Sequence, residues 1–214
     1  MISCLVPAYN EEKNIVEMLR AVKSAGIFDE IIVINDGSED LTAFLIEKEG
    51  GVVFINLPKN LGKGGAVWAG IKQACGEIIV MLDADLVGIT RKSLEKLIEP
   101  VQSGRADVCV GVINSGGERP FIDFAQKNLH FLSGQQAFLR ELVLDAEKIK
   151  DSRFGVELEL RDHFKRKQAK IEKIVLHNIK HLLKEEKMGV RKGFAKRLKM
   201  YWEVVASFFI VLFR

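Results

Sequence analysis

Asp83-Ala84-Asp85 follows an unbroken apolar run, Ile78-Ile79-Val80-Met81-Leu82. A short apolar run without alternation reads as a buried strand, as in a parallel sheet. Two aspartates at i and i+2 then project from the carboxyl edge, where open α/β sheets bind ligands. Hard oxygen ligands at that spacing suit Mg2+ or Mn2+, ions that commonly accompany a diphosphate. Aspartates also end strands in ordinary solvated turns. The pair therefore needs support from its surroundings.

Three further segments bear on it. Val6-Pro7-Ala8-Tyr9-Asn10-Glu11-Glu12 directly follows an apolar stretch. Pro7 ends strand pairing, Asn10 is placed to cap a following helix, and Tyr9 offers a ring on which a base could stack. Asn35-Asp36-Gly37-Ser38 offers acceptors for a nucleobase imide or a ribose hydroxyl, although turns prefer the same residues. Asn60-Leu61-Gly62-Lys63-Gly64-Gly65-Ala66 opens a helix, and amides at a helix N-terminus with a lysine suit phosphate groups. It is not a P-loop, which needs Gly-x-x-x-x-Gly-Lys-Ser/Thr. It is not the dinucleotide fingerprint either, because Val67 stands at the third glycine position. Tight helix packing through Gly and Ala explains the segment equally well.

The elements needed to position these groups alternate along the first hundred or so residues. Strands are expected over 2–6, 31–34, 52–55 and 78–82. Between them lie helices over 11–25, 40–48 and 64–74, the first carrying Ile15, Met18, Leu19 and Val22 on one face. Strand–helix alternation predicts an α/β fold, a mostly parallel sheet wound with right-handed crossovers. Each motif then sits at a strand's carboxyl end or the start of the next helix, where one crevice can gather them. A helix over 91–103 and a strand over 107–112 follow. Gly116, Gly117 and Pro120 mark a loop over 114–127. Further on, 154–167 reads as a helix, 170–176 as a strand and 190–214 as one long helix.

With 214 residues, 48% of them hydrophobic, the chain can bury one substantial core. A net charge of +3 gives no argument for a nucleic-acid partner. Cys4, Cys75 and Cys109 are widely separated and lack metal-ligand spacing. They read as small hydrophobes or free thiols in a reducing cytoplasm. Pro7, Asn10, Glu11 and Glu12 interrupt any signal-peptide pattern at the N-terminus.

In combination, the runs VPAYNEE, NDGSED and NLGKGGAVWAGIKQACGEIIVMLDADL resemble the nucleotide-sugar-binding half of a family-2 glycosyltransferase. The resemblance covers residues 1–112 and implies the GT-A fold, a Rossmann-like sheet flanked by helices. It implies that Pro7, Ala8, Tyr9 and Glu11 line the base and ribose pocket and that Asp36 contacts the nucleoside. It places Lys63 and Gly64 near the pocket, with Lys63 aiding the diphosphate charge, Asp83 and Ala84 against the ribose or diphosphate, and Asp85 on the metal, with Asp83 beside it. Asn35 replaces an aspartate common in the family, keeping an acceptor oxygen without the charge.

The segment Ser133-Gly134-Gln135-Gln136-Ala137-Phe138 resembles the family's acceptor side, which adds Gln135 to the substrate-binding set. Phe154-Gly155-Val156-Glu157-Leu158-Glu159 resembles the Phe-x-Val-Glu-Leu segment of polyprenyl-phosphate glycosyltransferases. Glu157 is then the expected general base, or a positioning group if the acceptor is a phosphate. The bland alternative puts Glu157 on a solvated helix face with Glu159 and Arg161.

Residues 1–180 are expected to form the GT-A domain, with 113–180 as its acceptor half, and 181–214 a C-terminal amphipathic helical tail. Lys and Arg crowd 184–199, and Tyr201 and Trp202 precede an apolar run over 204–213. That run is shorter than the roughly 20 residues of a membrane span. The pattern suits a helix lying in the membrane interface or packing in a homodimer. The expected activity is inverting transfer from a UDP- or GDP-linked sugar, aided by Mg2+ or Mn2+. The acceptor would be a polyprenyl phosphate at the cytoplasmic membrane face. The alternatives are a soluble acceptor, or a non-catalytic nucleotide-sugar-binding protein that docks through its tail.

Overall fold

The computed structural model describes residues 1–114 and 133–181. The first strand, β1 (Ile2–Ala8), is central and buried almost throughout. It pairs in parallel with β2 (Glu30–Asn35) and with β4 (Ile78–Met81). Next to β2 runs β3 (Val53–Asn56), also parallel, at the edge. On the other flank β4 pairs antiparallel with β7 (Gln136–Leu139), and β7 antiparallel with β6 (Val108–Asn114). The far edge is β8 (Ile171–His177), parallel to β6. The sheet order is therefore β3-β2-β1-β4-β7-β6-β8. It is mostly parallel, as expected, with the reversed β7 inserted between β4 and β6.

Both faces are covered, so the central strands are apolar on both sides. One face packs Cys4, Val6, Val33 and Val80 against α1 (Ile15–Ala25), α2 (Thr42–Glu49) and α4 (Arg91–Gln102). The other packs Leu5, Ile34, Ile79 and Met81 against α3 (Lys63–Gln73) and α5 (Val156–Arg166). On that face Phe138 of β7 meets Phe164 of α5 with ring centroids 5.4 Å apart. Cys4 and Cys109 are core residues whose thiols burial pushes upward, Cys109 to about 12, and Cys75 is exposed. All three are free.

Two local expectations fail. Pro7 does not end strand pairing: it stands within β1 opposite Ile34, and the pairing runs on to Ala8. Asn10 does not cap α1, which starts only at Ile15. Asn10 takes a left-handed conformation, φ 56°, and its side chain accepts a hydrogen bond from the Glu39 amide. The chain thus turns away from β1 before the helix begins, and the short amide side chain joins two loops instead. The expected loop past residue 114 and the tail beyond residue 181 lie outside the described residues.

Candidate active site

The strand ends bring the first two motifs together. The Asn10 amide donates to Ser38 Oγ at 2.9 Å, and the Glu11 amide to Thr42 Oγ1 at 2.7 Å. The turns after β1 and β2 are therefore one wall. Pro7 and Ala8 are buried at its base, while Tyr9 stays exposed at its rim. Glu11 accepts a hydrogen bond from Asn14 Nδ2. Asn35 is buried, and its amide is used within the wall: Nδ2 donates to Asn56 Oδ1 at 2.7 Å, and Oδ1 accepts from the Ser38 amide at 3.3 Å. Asn35 thus ties the carboxyl ends of β2 and β3.

Asp36 is nearly inaccessible, and its carboxylate accepts the amides of Leu61 and Gly62 at 2.7 and 2.9 Å. Burial nevertheless holds its carboxyl above the usual carboxylate range, outweighing those two hydrogen bonds. Asn60 Nδ2 donates to the Asp36 carbonyl. The second motif therefore anchors the third.

The glycines of that third motif are explained by close approach. A Cβ on Gly64 would come 2.2 Å from the Ile149 carbonyl oxygen and 2.4 Å from Ser152 Oγ. The short 3-10 turns over Glu147–Asp151 and Arg153–Gly155 lie directly on the start of α3. Gly64 is thus a packing residue, and Lys63 is the group that reaches inward.

Lys63 Nζ donates to Asp83 Oδ1 and to Glu157 Oε1, each at 2.5 Å. Gln135 Nε2 donates to Asp83 Oδ2 at 2.8 Å. Four residues from four parts of the chain thus meet in one cluster. Burial works against the Lys63 charge, but Asp83 and Glu157 together outweigh it and hold the ammonium well above the ordinary lysine range. Glu157 is buried in the first turn of α5, not on a solvated face. Gly134 makes room for the cluster, since a Cβ there would fall 2.3 Å from Asp83 Oδ2. Ser133 Oγ fixes that segment by donating to the Gly111 carbonyl.

Ala84 is buried and Asp85 half-buried in the turn beyond β4. The turn leads into β5 (Leu86–Val87), which pairs antiparallel with β9 (Lys180–His181). Among the described residues no group of three or more His, Cys, Asp or Glu side chains converges as a metal cage. Two carboxylates at i and i+2 do fit a magnesium-type site, in which substrate oxygens and water complete the shell. Asp83 accepts hydrogen bonds from Lys63 and Gln135.

Two clefts flank these residues. One of about 530 Å³ opens beside the Asp36 turn, lined by Asn35, Ser38, Asn56 and Asn60. The larger, about 660 Å³, lies on the Leu144–Ile149 side of α5, against Glu159, His163 and Arg166, and includes none of the cluster. The chemistry-bearing groups converge at the strand ends, so the site is assigned there. Sequence reasoning overlooked Asn60, Gly134 and Asn56. Asn60 and Gly134 stood inside the quoted motifs, but nothing local marked their contacts.

The model of the glycosyl transferase family 2 matches residues 3–176. The chain belongs to that family. A dolichyl-phosphate beta-glucosyltransferase of Trichomonas vaginalis is 31% identical to this family-2 chain over 182 residues, covering 75% of it and 54% of the relative. An undecaprenyl-phosphate 4-deoxy-4-formamido-L-arabinose transferase of Pseudomonas paraeruginosa is 35% identical over 113 residues, covering 49% and 33%. The chain thus spans about half the length of the first relative and a third of the second. Glucosyl-3-phosphoglycerate synthase from Mycobacterium tuberculosis, solved with Mn2+, UDP and glucosyl-3-phosphoglycerate, matches with a TM-score of 0.74. That match covers 99% of this chain and 79% of that one at 24% identity, and it establishes the GT-A fold.

Proposed function

We propose that this chain transfers a sugar, with inversion, from a UDP- or GDP-linked donor to an acceptor oxygen. One observation carries the reading: Lys63 joins Asp83, on what would be the donor side, to Glu157, on what would be the acceptor side. A donor between them would have its anomeric carbon within reach of both. Tyr9 would stack on the base, Pro7, Ala8 and Glu11 would line the base and ribose pocket, and Asp36 would face the nucleoside. Asp83, oriented by Gln135, would meet the ribose or diphosphate, with Ala84 packed beneath. Lys63 would move onto the diphosphate as the donor enters. A divalent Mg2+ or Mn2+ ion held by Asp85, with Asp83, would supply neutralisation of the diphosphate leaving group. The acceptor oxygen attacks the anomeric carbon from the opposite face, and the bond to the β-phosphate oxygen breaks. Glu157 would accept the proton of an acceptor hydroxyl, or orient an acceptor phosphate, which brings no proton to remove.

The acceptor we favour is a polyprenyl phosphate, the class named for both curated relatives. The path of the chain supports this. The last described strand, β9, pairs with β5 one residue beyond Asp85, and Lys- and Arg-rich sequence follows it. Basic residues there suit phosphate head groups at the inner face of the membrane. Among the described residues no helix is long and apolar enough to cross a membrane. Peripheral contact, or a homodimer through the tail, would then hold the enzyme in place.

Calorimetric titration with UDP-glucose and GDP-mannose, each with and without Mn2+, tests the donor reading. Wild type should bind one of them in a metal-dependent way. Asp85→Ala should lose that binding at an unchanged melting temperature. Binding of neither donor, or unaltered affinity in the variant, would overturn it. Transfer of labelled sugar to undecaprenyl phosphate in vesicles tests the acceptor.

A further inference from the structure

Arg153 stands just before α5, exposed to solvent, with a φ of 48°. Side chains larger than glycine, Asn and Asp seldom adopt that left-handed conformation. Such backbone persists where its surroundings fix it, and it concentrates at ligand sites. The surroundings here are the glycine motif. A Cβ on Gly62 would come 2.9 Å from the Arg153 Cα, so the two backbones are in direct contact. Gly62 itself, at φ 85°, gives its amide to Asp36. The guanidinium acts through space on that same Asp36, favouring its ionised form. Among the described residues Arg153 makes no ion pair and no side-chain hydrogen bond. A glycine would hold this backbone more easily, yet the position carries a cation placed over the Asp36–Gly62 cradle.

We propose that Arg153 is a substrate-binding residue that grips the diphosphate of the nucleotide-sugar donor. The inference rests on the donor reading above. A guanidinium fork matches phosphate oxygens in pairs, which a single ammonium cannot do. Phosphate could come from the donor or from a phosphorylated acceptor. Arg153 lies against Gly62, whose amide Asp36 accepts on the nucleoside side of the proposed site, and this placement assigns it to the donor. Lys63 and Arg153 would then approach the diphosphate from within the cluster and from the rim.

The test is titration of the full chain with UDP, UMP, GDP and GMP in Mn2+, on wild type, Arg153→Gly and Arg153→Lys. Arg153→Gly should weaken the diphosphate of the preferred base by about ten- to a hundredfold and the monophosphate far less. Its melting temperature should hold or rise, because glycine accepts the left-handed backbone. Arg153→Lys should restore only part of the affinity. Equal diphosphate affinity in wild type and Arg153→Gly overturns the proposal. So does an equal loss for mono- and diphosphates, or a loss that tracks a lowered melting temperature. If wild type binds neither UDP nor GDP, the donor reading itself fails, and this inference with it.

Discussion

Replacing Lys63 by methionine keeps the aliphatic stem and removes the ammonium. Asp83 and Glu157 would then share one pocket without the ammonium that bridges them. Glu157 has 8% of its side chain exposed, against 20% for Asp83 and 21% for Lys63. Breaking a fully buried pair by removing one member costs about 3–5 kcal/mol. Asp83 keeps some access to water and its hydrogen bond from Gln135, which lowers the expected cost to about 2–3 kcal/mol. Urea unfolding at pH 7 reads this directly. With a slope of about 2–3 kcal/mol per M, the midpoint should fall by about 1 M. Adding Glu157→Gln removes one of the stranded charges, so the double variant should be more stable than the sum of the singles by at least about 1 kcal/mol. The folded Lys63 value lies above the ordinary 10.5, so its stabilisation is complete below that pH and fades only above it. The deficit should therefore be the same at pH 7 and pH 9. A loss under about 0.5 kcal/mol, or strict additivity in the double variant, refutes the idea that Lys63 neutralises Glu157.

Gly134→Ala should cost about 1–3 kcal/mol in thermal unfolding, because its Cβ would land on the Asp83 carboxylate. Donor affinity should fall with it in the calorimeter. Asp36→Asn probes the buried acid. The folded Asp36 value is raised above 3.8, so this group's contribution is present below that pH and lost as pH rises through the folded value. The variant does not titrate there. The stability of wild type relative to Asp36→Asn should therefore decline from about pH 4 towards pH 7 in urea titrations, and a flat difference would contradict the burial argument.

Apart from the two-residue β5, elements up to β6 lie close to their expected positions, because they bury an apolar run or a stripe such as Ile15, Met18, Leu19 and Val22. β7 escaped as a strand. It is four residues long, and its antiparallel place between β4 and β6 depends on partners far away in sequence. The expected start of α1 at Glu11 came from the preference of asparagine for helix N-caps. The true role of Asn10 is set by Ser38 and Glu39, on another loop. At the site, residue type and spacing singled out Asp83 and Lys63, and the family resemblance singled out Glu157. Their direct contact was not legible, since Lys63 and Glu157 lie 94 positions apart. The glycine motif left packing and phosphate contact equally open, and the contacts of Gly64 supply the packing half of that account.

The placement of β4 has a consequence for the chain as it is being made. Its residues Ile78–Met81 are fully buried in the sheet, with β1 on one side and β7 on the other. The β1 partner is synthesised first, but β7 ends roughly 60 residues later. At about 5–20 residues per second, one apolar edge of β4 stays open for roughly 3–12 s in the growing chain. An uncharged strand edge of this kind is a template for pairing with other chains. The strand that leads into Asp83 and Asp85 is thus a point at which a ribosome-bound chaperone would have most to protect.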